Sequence, residues 1–193
     1  IKIDVKNEGV TLTASNSDIS IQTKLETNEK LQIKETGTIV VPGKYFCEIV
    51  RKCDSKELLI TTFEQNSVKI LANQSTFTLN LLDKAIFPFI SFDDSAKSFY
   101  LDGLNLKNII KKTAFATSFS EAKMVLTGVN FVSAANKLEV VATDTYRLTK
   151  KKVNLQEFLD FNVTIPRNAL DDVNKIVELG QTVRIAISDK KVS

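Results

Sequence analysis

The sequence contains no histidine and no tryptophan, and it has only two cysteines, six glycines and three prolines. Without histidine, the common zinc sites and every histidine-based triad or acid–base pair are excluded. Cys47 and Cys53 lie in one predicted helix that points them in different directions, so both are interpreted as packing residues. The glycines never cluster into a phosphate-binding loop. The sequence therefore predicts no catalytic residue, no metal site and no cofactor.

No apolar run approaches the roughly 20 residues that a membrane span needs, and the N-terminus lacks a signal-peptide pattern. The sequence therefore predicts a cytoplasmic protein that does not contact a membrane. The chain opens on Ile1 inside a strand-like stretch, IKIDV, and we expect it to be a fragment of a longer protein. Its 193 residues, 43% hydrophobic and 25% charged, are enough for one or two globular domains.

An internal repeat organises the chain. Lys2–Asn16 aligns without a gap on Asn130–Asp144, an offset of 130 − 2 = 128. Pro42–Val68 aligns on Pro166–Val192, an offset of 166 − 42 = 124, so a connecting segment differs by four residues. We expect two homologous but incomplete domains: the first lacks the counterpart of the helix LKNIIKKTAFATS, and the second stops before that of STFTLNLL. The predicted domains are residues 1–92 and 93–193.

The local patterns predict an α+β fold rich in antiparallel strands. Period-two alternation predicts half-buried strands at Val10–Ala14, Phe77–Leu81 and Val183–Ile187. Apolar residues at i, i+3, i+4 and i+7 predict helices in PGKYFCEIVRKC and LKNIIKKTAFATS. A third helix is predicted over Pro166–Glu178. We expect Pro42 and Pro166 to begin equivalent helices, since proline suits a first helical turn.

The predicted helices carry basic residues on their solvent faces. In the third helix, Asp171, Asp172 and Glu178 offset the basic residues. If the helices lie side by side, the basic side chains form a stripe that can meet a phosphate backbone without reading bases. For a single helix a solvated face is the simpler explanation, and the net charge of 26 − 23 = +3 does not indicate nucleic acid by itself. The basic residues are Lys44, Arg51, Lys52, Lys111, Lys112, Arg167 and Lys175.

Several stretches resemble one known family. VVATDTYRL resembles the Ala-Thr-Asp-Gly-His-Arg-Leu signature of the bacterial DNA polymerase III beta subunit, the sliding clamp family. VVPGKYFCEIVRKC, STFTLNLL with DKAIFPFI, and VTIPRNALDDV resemble clamp segments in the same order and at similar spacing. The resemblance covers essentially all 193 residues. It implies the DNA clamp fold: a ring of two protomers, each of three similar domains, with helices lining a hole around duplex DNA and sheets outside.

The resemblance also implies a shallow hydrophobic pocket that accepts a short peptide from DNA polymerase III alpha subunit, the clamp loader or repair polymerases. Thr145 and Tyr146 depart from the usual Gly-His, and threonine reaches positive φ less easily than glycine. The alternative to a peptide pocket is a purely structural role, in which Asp144 and Arg147 pair to hold a hairpin corner. The pocket residues implied are Leu126, Thr143, Thr145, Tyr146, Arg147 and Leu148.

The resemblance implies that Lys44 and Arg167, which follow the two matching prolines, are basic residues that line the pore and face DNA. Arg51, Lys52, Lys111, Lys112 and Lys175 are added from helix geometry. STFTLNLL resembles the edge strand through which the first domain of one protomer pairs with the third domain of the other. The interface residues implied are Tyr45, Phe77 and Leu79. The strand could instead be internal to its sheet.

Two other classes of function stay open. A phosphoryl or nucleotidyl transferase could use Asp93, Asp94 and Asp102 to hold Mg²⁺, but the sequence shows no phosphate loop beside them. A repeated β-rich scaffold that binds proteins without contacting DNA is the principal alternative. The resemblance to the clamp family implies instead a non-catalytic processivity factor of DNA replication, and we expect it to bind duplex DNA without sequence preference and to form a homodimeric ring in the full-length protein.

Overall fold

The structure, a computed structural model, describes residues 1–16, 18–64, 66–92, 97–188 and 191–193. The chain divides into two units, Ile1–Ile90 and Ser91–Ser193, called unit 1 and unit 2 below. Residues 93–96 lie outside the described part, so the boundary expected between residues 92 and 93 stays a prediction. None of the helices in the described part combines the length and the apolar character that crossing a bilayer requires.

Within its described residues, unit 1 contains strands, one α-helix and a short 3-10 turn (Lys84–Ile86). Its elements are β1 (Lys2–Lys6), β2 (Gly9–Ser15), β3 (Ser20–Glu26), β4 (Gly37–Val40), α1 (Gly43–Lys52), β5 (Leu59–Phe63), β6 (Ser67–Ala72) and β7 (Ser75–Asn80). The strands form two antiparallel sheets, with the orders β3-β2-β1-β4 and β5-β6-β7.

Unit 2 begins with a strand and a helix that have no counterpart in the described part of unit 1. Its elements are β8 (Lys97–Asp102), α2 (Gly103–Thr113), β9 (Gly128–Ala134), β10 (Lys137–Thr143), β11 (Leu148–Asn154), β12 (Phe161–Pro166), α3 (Arg167–Ile176) and β13 (Thr182–Ile187). Two 3-10 segments, Ala114–Ala116 and Glu121–Thr127, connect α2 to β9. The sheets have the orders β11-β10-β9-β12 and β13-β8.

The strand registers reproduce the repeat. Lys2 lies opposite Thr13 in the pair β1–β2, and 128 positions further on Asn130 lies opposite Val141 in the pair β9–β10. The next pairs, β2–β3 and β10–β11, keep the same offset from end to end. Because a slip of one residue would turn every side chain to the other face, equal registers mean that both sheets bury equivalent positions. The repeated unit predicted from the sequence is confirmed in these strands.

The second offset is also present in the structure. The partner of Lys2 in β4 is Val40, and the partner of Asn130 in β12 is Thr164. Thr164 follows Val40 by 124 positions, which is the second offset. Pro42 and Pro166 then directly precede α1 and α3, and each helix has ten residues. Both prolines have extended backbone at the N-cap position, where a missing N–H costs nothing. The prediction that they begin equivalent helices is confirmed, although α3 ends at Ile176 and not at Glu178.

The alignment fails by one residue at the end of the repeat. Phe63 pairs with Ser67 across a connection of three residues, whereas Ile187 pairs with Val192 across a connection of four. Val192 is therefore the structural counterpart of Ser67 and not, as the gap-free alignment requires, of Val68. The connection is therefore one residue longer in unit 2 than in unit 1.

Each unit has its own hydrophobic core. In unit 2 the predicted stripe of α2 is buried: Leu106, Ile109, Ile110 and Thr113 are at most 3% exposed. The fully buried positions of the facing sheet include Val140 in β10. Each such aliphatic side chain contributes about 1.5–3 kcal/mol on leaving water. The helix begins earlier than predicted, at Gly103, because the Asp102 carboxylate accepts hydrogen bonds from the first helical amides.

Strand β7 is an edge strand, with β6 as its neighbour in the described sheet. Phe77 and Leu79 are both partly buried against the core of unit 1, as their period-two alternation predicts. Alternation places Thr76, Thr78 and Asn80 on the opposite, exposed face, and Ser75 at the start of the strand is also exposed. Among the described residues, β7 therefore has one backbone edge without a strand neighbour, beside an exposed polar face.

Candidate functional site

The turn between β10 and β11 contains the residues of the signature. The Asp144 Oδ1 atom accepts hydrogen bonds from the backbone amides of Tyr146 at 3.1 Å and Arg147 at 3.0 Å. Arg147 Nε donates to Asp144 Oδ2 at 2.9 Å. These bonds, the Arg147 amide first, hold the pKa of the Asp144 carboxyl below its ordinary value. The hairpin-corner role of the Asp144–Arg147 pair is therefore present, and it fixes where the neighbouring side chains lie.

Two threonines complete the turn. The Thr143 hydroxyl donates to the carbonyl of Arg147 at 2.7 Å and accepts from the amide of Thr145 at 3.2 Å. Thr145 has φ = 80°, in the left-handed region that costs a non-glycine residue roughly 1–2 kcal/mol. Thr145 therefore has a left-handed backbone at the position where the family signature has glycine, and the hydrogen bonds around it hold this conformation. Tyr146, 97% exposed, projects from the turn into solvent.

Unit 1 contains the same turn 128 positions earlier. The amide of Asn16 donates to the Ile19 carbonyl at 3.0 Å, and Asn16 Oδ1 accepts from the amides of Asp18 at 2.9 Å and Ile19 at 2.7 Å. Asn16 is the counterpart of Asp144, and Ile19 is the counterpart of Arg147. The backbone corner thus belongs to the repeated fold, whereas the arginine belongs to unit 2 alone.

The arginine of the turn reaches a second segment of unit 2. The guanidinium carbon of Arg147 lies 5.5 Å from the ring centroid of Phe115, in the 3-10 segment after α2. Further along the same connection, the amide of Ser118 donates to the carbonyl of Leu126 at 2.8 Å. Leu148 is 66% exposed beside the turn, and Leu126 is half-buried. The sequence analysis did not identify Phe115. The signal that could have found it is that this aromatic residue does not belong to the apolar stripe of α2.

Helices α2 and α3 pack against each other in unit 2. The ammonium group of Lys107, on α2, donates to the carbonyls of Asn174 at 2.5 Å and Val177 at 2.8 Å, at the C-terminal end of α3. A cation at this position satisfies carbonyls that lack helical partners and interacts favourably with the helix dipole. The helical periodicity predicts that Lys107 lies on the solvent face of α2 with Lys111 and Lys112. This prediction is wrong for Lys107, because its ammonium group is bound by carbonyls at the end of α3.

Lys107→Met is expected to lower the free energy of unfolding by about 1–3 kcal/mol, because it keeps the aliphatic stem but removes two charge-assisted hydrogen bonds. Urea denaturation of the two variants checks this, with Lys111→Met, on the exposed last turn of α2, as the matched control. Equal midpoints for both variants would contradict a capping role for Lys107.

The predicted DNA-facing residues fall into two groups. The first group is exposed on α1 and α2, and within the described residues no ion pair involves any of its members, which are Lys44, Arg51, Lys52, Lys111 and Lys112. Lys175 is exposed on α3 but donates to Asp172 at 2.8 Å, and this hydrogen bond raises the pKa of Lys175. The first group carries its positive charge without an acidic neighbour in contact.

Arg167, the first residue of α3, is held by its own unit. Its guanidinium carbon lies 4.7 Å from the ring centroid of Phe119, and its Nε lies 3.4 Å from Asp171 Oδ2. The offset of 124 makes Gly43, and not Lys44, the counterpart of Arg167, so the two basic residues are not structurally equivalent. Arg167 therefore ties the connection after α2 to α3, in addition to any contact with a ligand.

The remaining predicted residues are dispersed. Tyr45, expected at a protomer interface, is 58% exposed on α1. Of the acids weighed as Mg²⁺ ligands, Asp102 caps α2 by accepting from the amides of Leu104 at 2.9 Å and Asn105 at 3.2 Å. Asp93 and Asp94 lie outside the described residues.

The chain matches two models of one protein family. Residues 1–91 match "DNA polymerase III beta subunit, N-terminal domain", and residues 100–193 match "DNA polymerase III beta subunit, central domain". A curated relative, the beta sliding clamp of Staphylococcus epidermidis, is 40% identical over 182 residues, which cover 92% of this chain and 48% of the relative. The chain thus spans about half the length of the curated relatives it matches.

Solved structures agree with these matches. The crystal structure of the DNA polymerase sliding clamp from Bacillus subtilis superposes with a TM-score of 0.92 at 33% identity, over 99% of this chain and 52% of that one. The DNA polymerase III beta chain from Streptococcus pneumoniae gives 0.90 at 34% identity, with the same coverage. The predicted clamp fold is confirmed, and because two domains of one subunit account for nearly every residue, the chain belongs to the DNA polymerase III beta subunit family.

Proposed function

We propose that the full-length protein is a sliding clamp of DNA replication, which encircles duplex DNA and tethers the replicative polymerase. The observation that carries this proposal is the set of lysines and arginines on α1 and α2 without acidic partners in contact, in a chain whose family members are named sliding clamps. Helices with such faces suit a phosphate backbone. The proposed DNA contacts are Lys44, Arg51, Lys52, Lys111, Lys112, Arg167 and Lys175.

The modest charge of the chain fits such a role. A clamp that slides needs many weak and equivalent phosphate contacts, because a few strong ones would hold it at one place. The formal net charge is only +3, so the basic side chains act through their position on the helices and not through an overall field. The proposed role is non-catalytic and cytoplasmic: the protein holds a polymerase on DNA, and the polymerase performs the chemistry.

We assign residues 1–92 to the first clamp domain and residues 93–193 to the second. The edge of β7 supports pairing with another protomer, since an edge strand presents unpaired backbone groups that a partner strand can satisfy. Tyr45, exposed on α1, belongs to the same proposed interface, while Phe77 and Leu79 support it from the core side. The proposed assembly is a homodimeric ring.

The turn of unit 2 is the proposed peptide pocket, formed by Leu126, Thr143, Thr145, Tyr146, Arg147 and Leu148. Leu148 supplies exposed apolar area, and Arg147, stacked near Phe115, supplies an aliphatic stem as a wall. Proposed occupants are short peptides with adjacent apolar anchors from the DNA polymerase III alpha subunit, the clamp loader and repair polymerases. Such peptides bind by inserting side chains into preformed pockets.

Retention on closed DNA tests the ring. Full-length protein loaded on nicked circular duplex should stay bound through gel filtration at moderate salt and be lost when the circle is cut to a linear form, because a ring slides off free ends. The principal alternative, a β-rich scaffold that binds proteins and not DNA, predicts no retention on either form. Equal retention on circular and linear DNA would also contradict encirclement.

A further inference from the structure

Three consecutive lysines, Lys150–Lys152, lie on the edge strand β11, and the strand places them on opposite faces of the sheet. Lys152 lies directly opposite Glu139, and its ammonium group is 2.9 Å from Glu139 Oε1. Lys150 Nζ is 2.6 Å from Glu139 Oε2. Two of the three positive charges are therefore paired with one carboxylate on the outer face of the sheet, the face opposite the core.

Lys151 has a different environment. Its partner across the strand pair is Val140, which is fully buried in the core that α2 covers. Residues directly opposite each other share a face, so Lys151 points to the helix side of the sheet. It is half-buried there, and among the described residues no ion pair involves it.

The helix side of β11 adjoins the last turn of α2. The Thr149 hydroxyl donates to the carbonyl of Lys112 at 2.8 Å, which attaches β11 to the end of the helix. Lys151 is two residues further along the same face, about 6.6 Å from Thr149 along the strand. Lys151 therefore lies on the face of β11 that meets the last turn of α2, the turn that carries the exposed Lys111 and Lys112. The periodicity of the helices alone could not reveal this.

We infer that Lys151 contacts a DNA phosphate and extends the basic surface of α2 onto the edge of the sheet. The inference rests on the proposed function and adds a residue to it. A lysine stem lies along apolar surface while its ammonium group stays in water, so a half-buried position at the rim of the core suits such a contact. The competing role is protection of the edge strand against pairing with another chain, a common use of lysine at such positions.

Lys151→Gln and Lys152→Gln separate the two roles, because they remove the same charge from neighbouring residues on opposite faces. In the full-length protein, equilibrium binding to a duplex of random sequence is measured between 50 and 400 mM NaCl, with thermal melting as a check on folding. Each phosphate contact contributes about 0.9 to the slope of log Kobs against log salt. Lys151→Gln is expected to lower the slope by about one and the affinity at 0.1 M salt by about five- to tenfold.

Lys152→Gln should leave both quantities at the wild-type values. Equal slopes for the two variants and the wild type would overturn the inference, as would increased self-association of Lys151→Gln with unchanged DNA binding. Absence of salt-dependent DNA binding in the wild type would instead overturn the proposed function itself.

Discussion

Reversing the charge of Lys44 and Lys111 to glutamate is expected to weaken binding of the full-length protein to duplex DNA on the order of a hundredfold at 0.1 M salt. Both side chains are exposed on helices, one in each unit, and neither has an ion-pair partner among the described residues. Each lost phosphate contact removes about 0.9 from the salt slope, so the slope should fall by about two for a protomer that makes both contacts.

A matched variant separates position from charge. Lys24 and Lys137 are exposed on β3 and β10, again one in each unit. Lys24 lies opposite Thr11, whose neighbours Val10 and Leu12 pack on the core. Lys137 directly precedes the fully buried Leu138. Because side chains alternate along a strand, both lysines point away from the core side of their sheets. Changing Lys24 and Lys137 to glutamate alters the net charge by the same amount as changing Lys44 and Lys111. This control should have little effect on the salt slope of DNA binding. An equal loss in both double variants would mean that no particular face meets DNA.

Alanine at Leu148 or at Leu126 is expected to lower the affinity for a partner peptide at least about tenfold, because buried apolar anchors contribute most of the energy of such interfaces. Two apolar anchors of a peptide contribute roughly 3–6 kcal/mol before the costs of association, which predicts micromolar binding. Fluorescence anisotropy of a labelled Gln-x-x-Leu-Phe peptide measures the change, and circular dichroism confirms that each variant is folded.

Leu179 provides the control for the pocket. It is 68% exposed in the same unit, close to the 66% of Leu148, so Leu179→Ala removes an equal side chain from a similar environment. Peptide affinity should be unchanged by it. If all three variants bound the peptide as the wild type does, the turn would be a hairpin corner only.

Much of the fold could be predicted because it depends on periodicity within short segments. The stripe of α2 from Leu106 to Thr113 is buried as expected, and the repeat offsets appear unchanged in the strand registers. Contacts between elements could not be predicted. Nothing in the spacing of Lys107 and Lys111 shows that one caps α3 while the other is exposed, because this depends on how the two helices pack.

The candidate site was predictable to a similar extent. The signature located the turn, and period-two alternation predicted that Phe77 and Leu79 face the core, but neither pattern shows which other segments contact the turn. The place of Arg167 after a proline predicts a basic residue at the start of α3, whereas its contact with Phe119 depends on a connection that has no regular sequence pattern.

The backbone corner that unit 1 and unit 2 share separates the geometry of this turn from its surface chemistry. Asn16 and Asp144 accept hydrogen bonds from equivalent pairs of backbone amides, so one polar side chain shapes the turn in both units. The residue three positions later can then differ, with isoleucine at position 19 and arginine at position 147, while the hydrogen bonds that form the corner stay the same. The two corners therefore present different side chains on one kind of backbone.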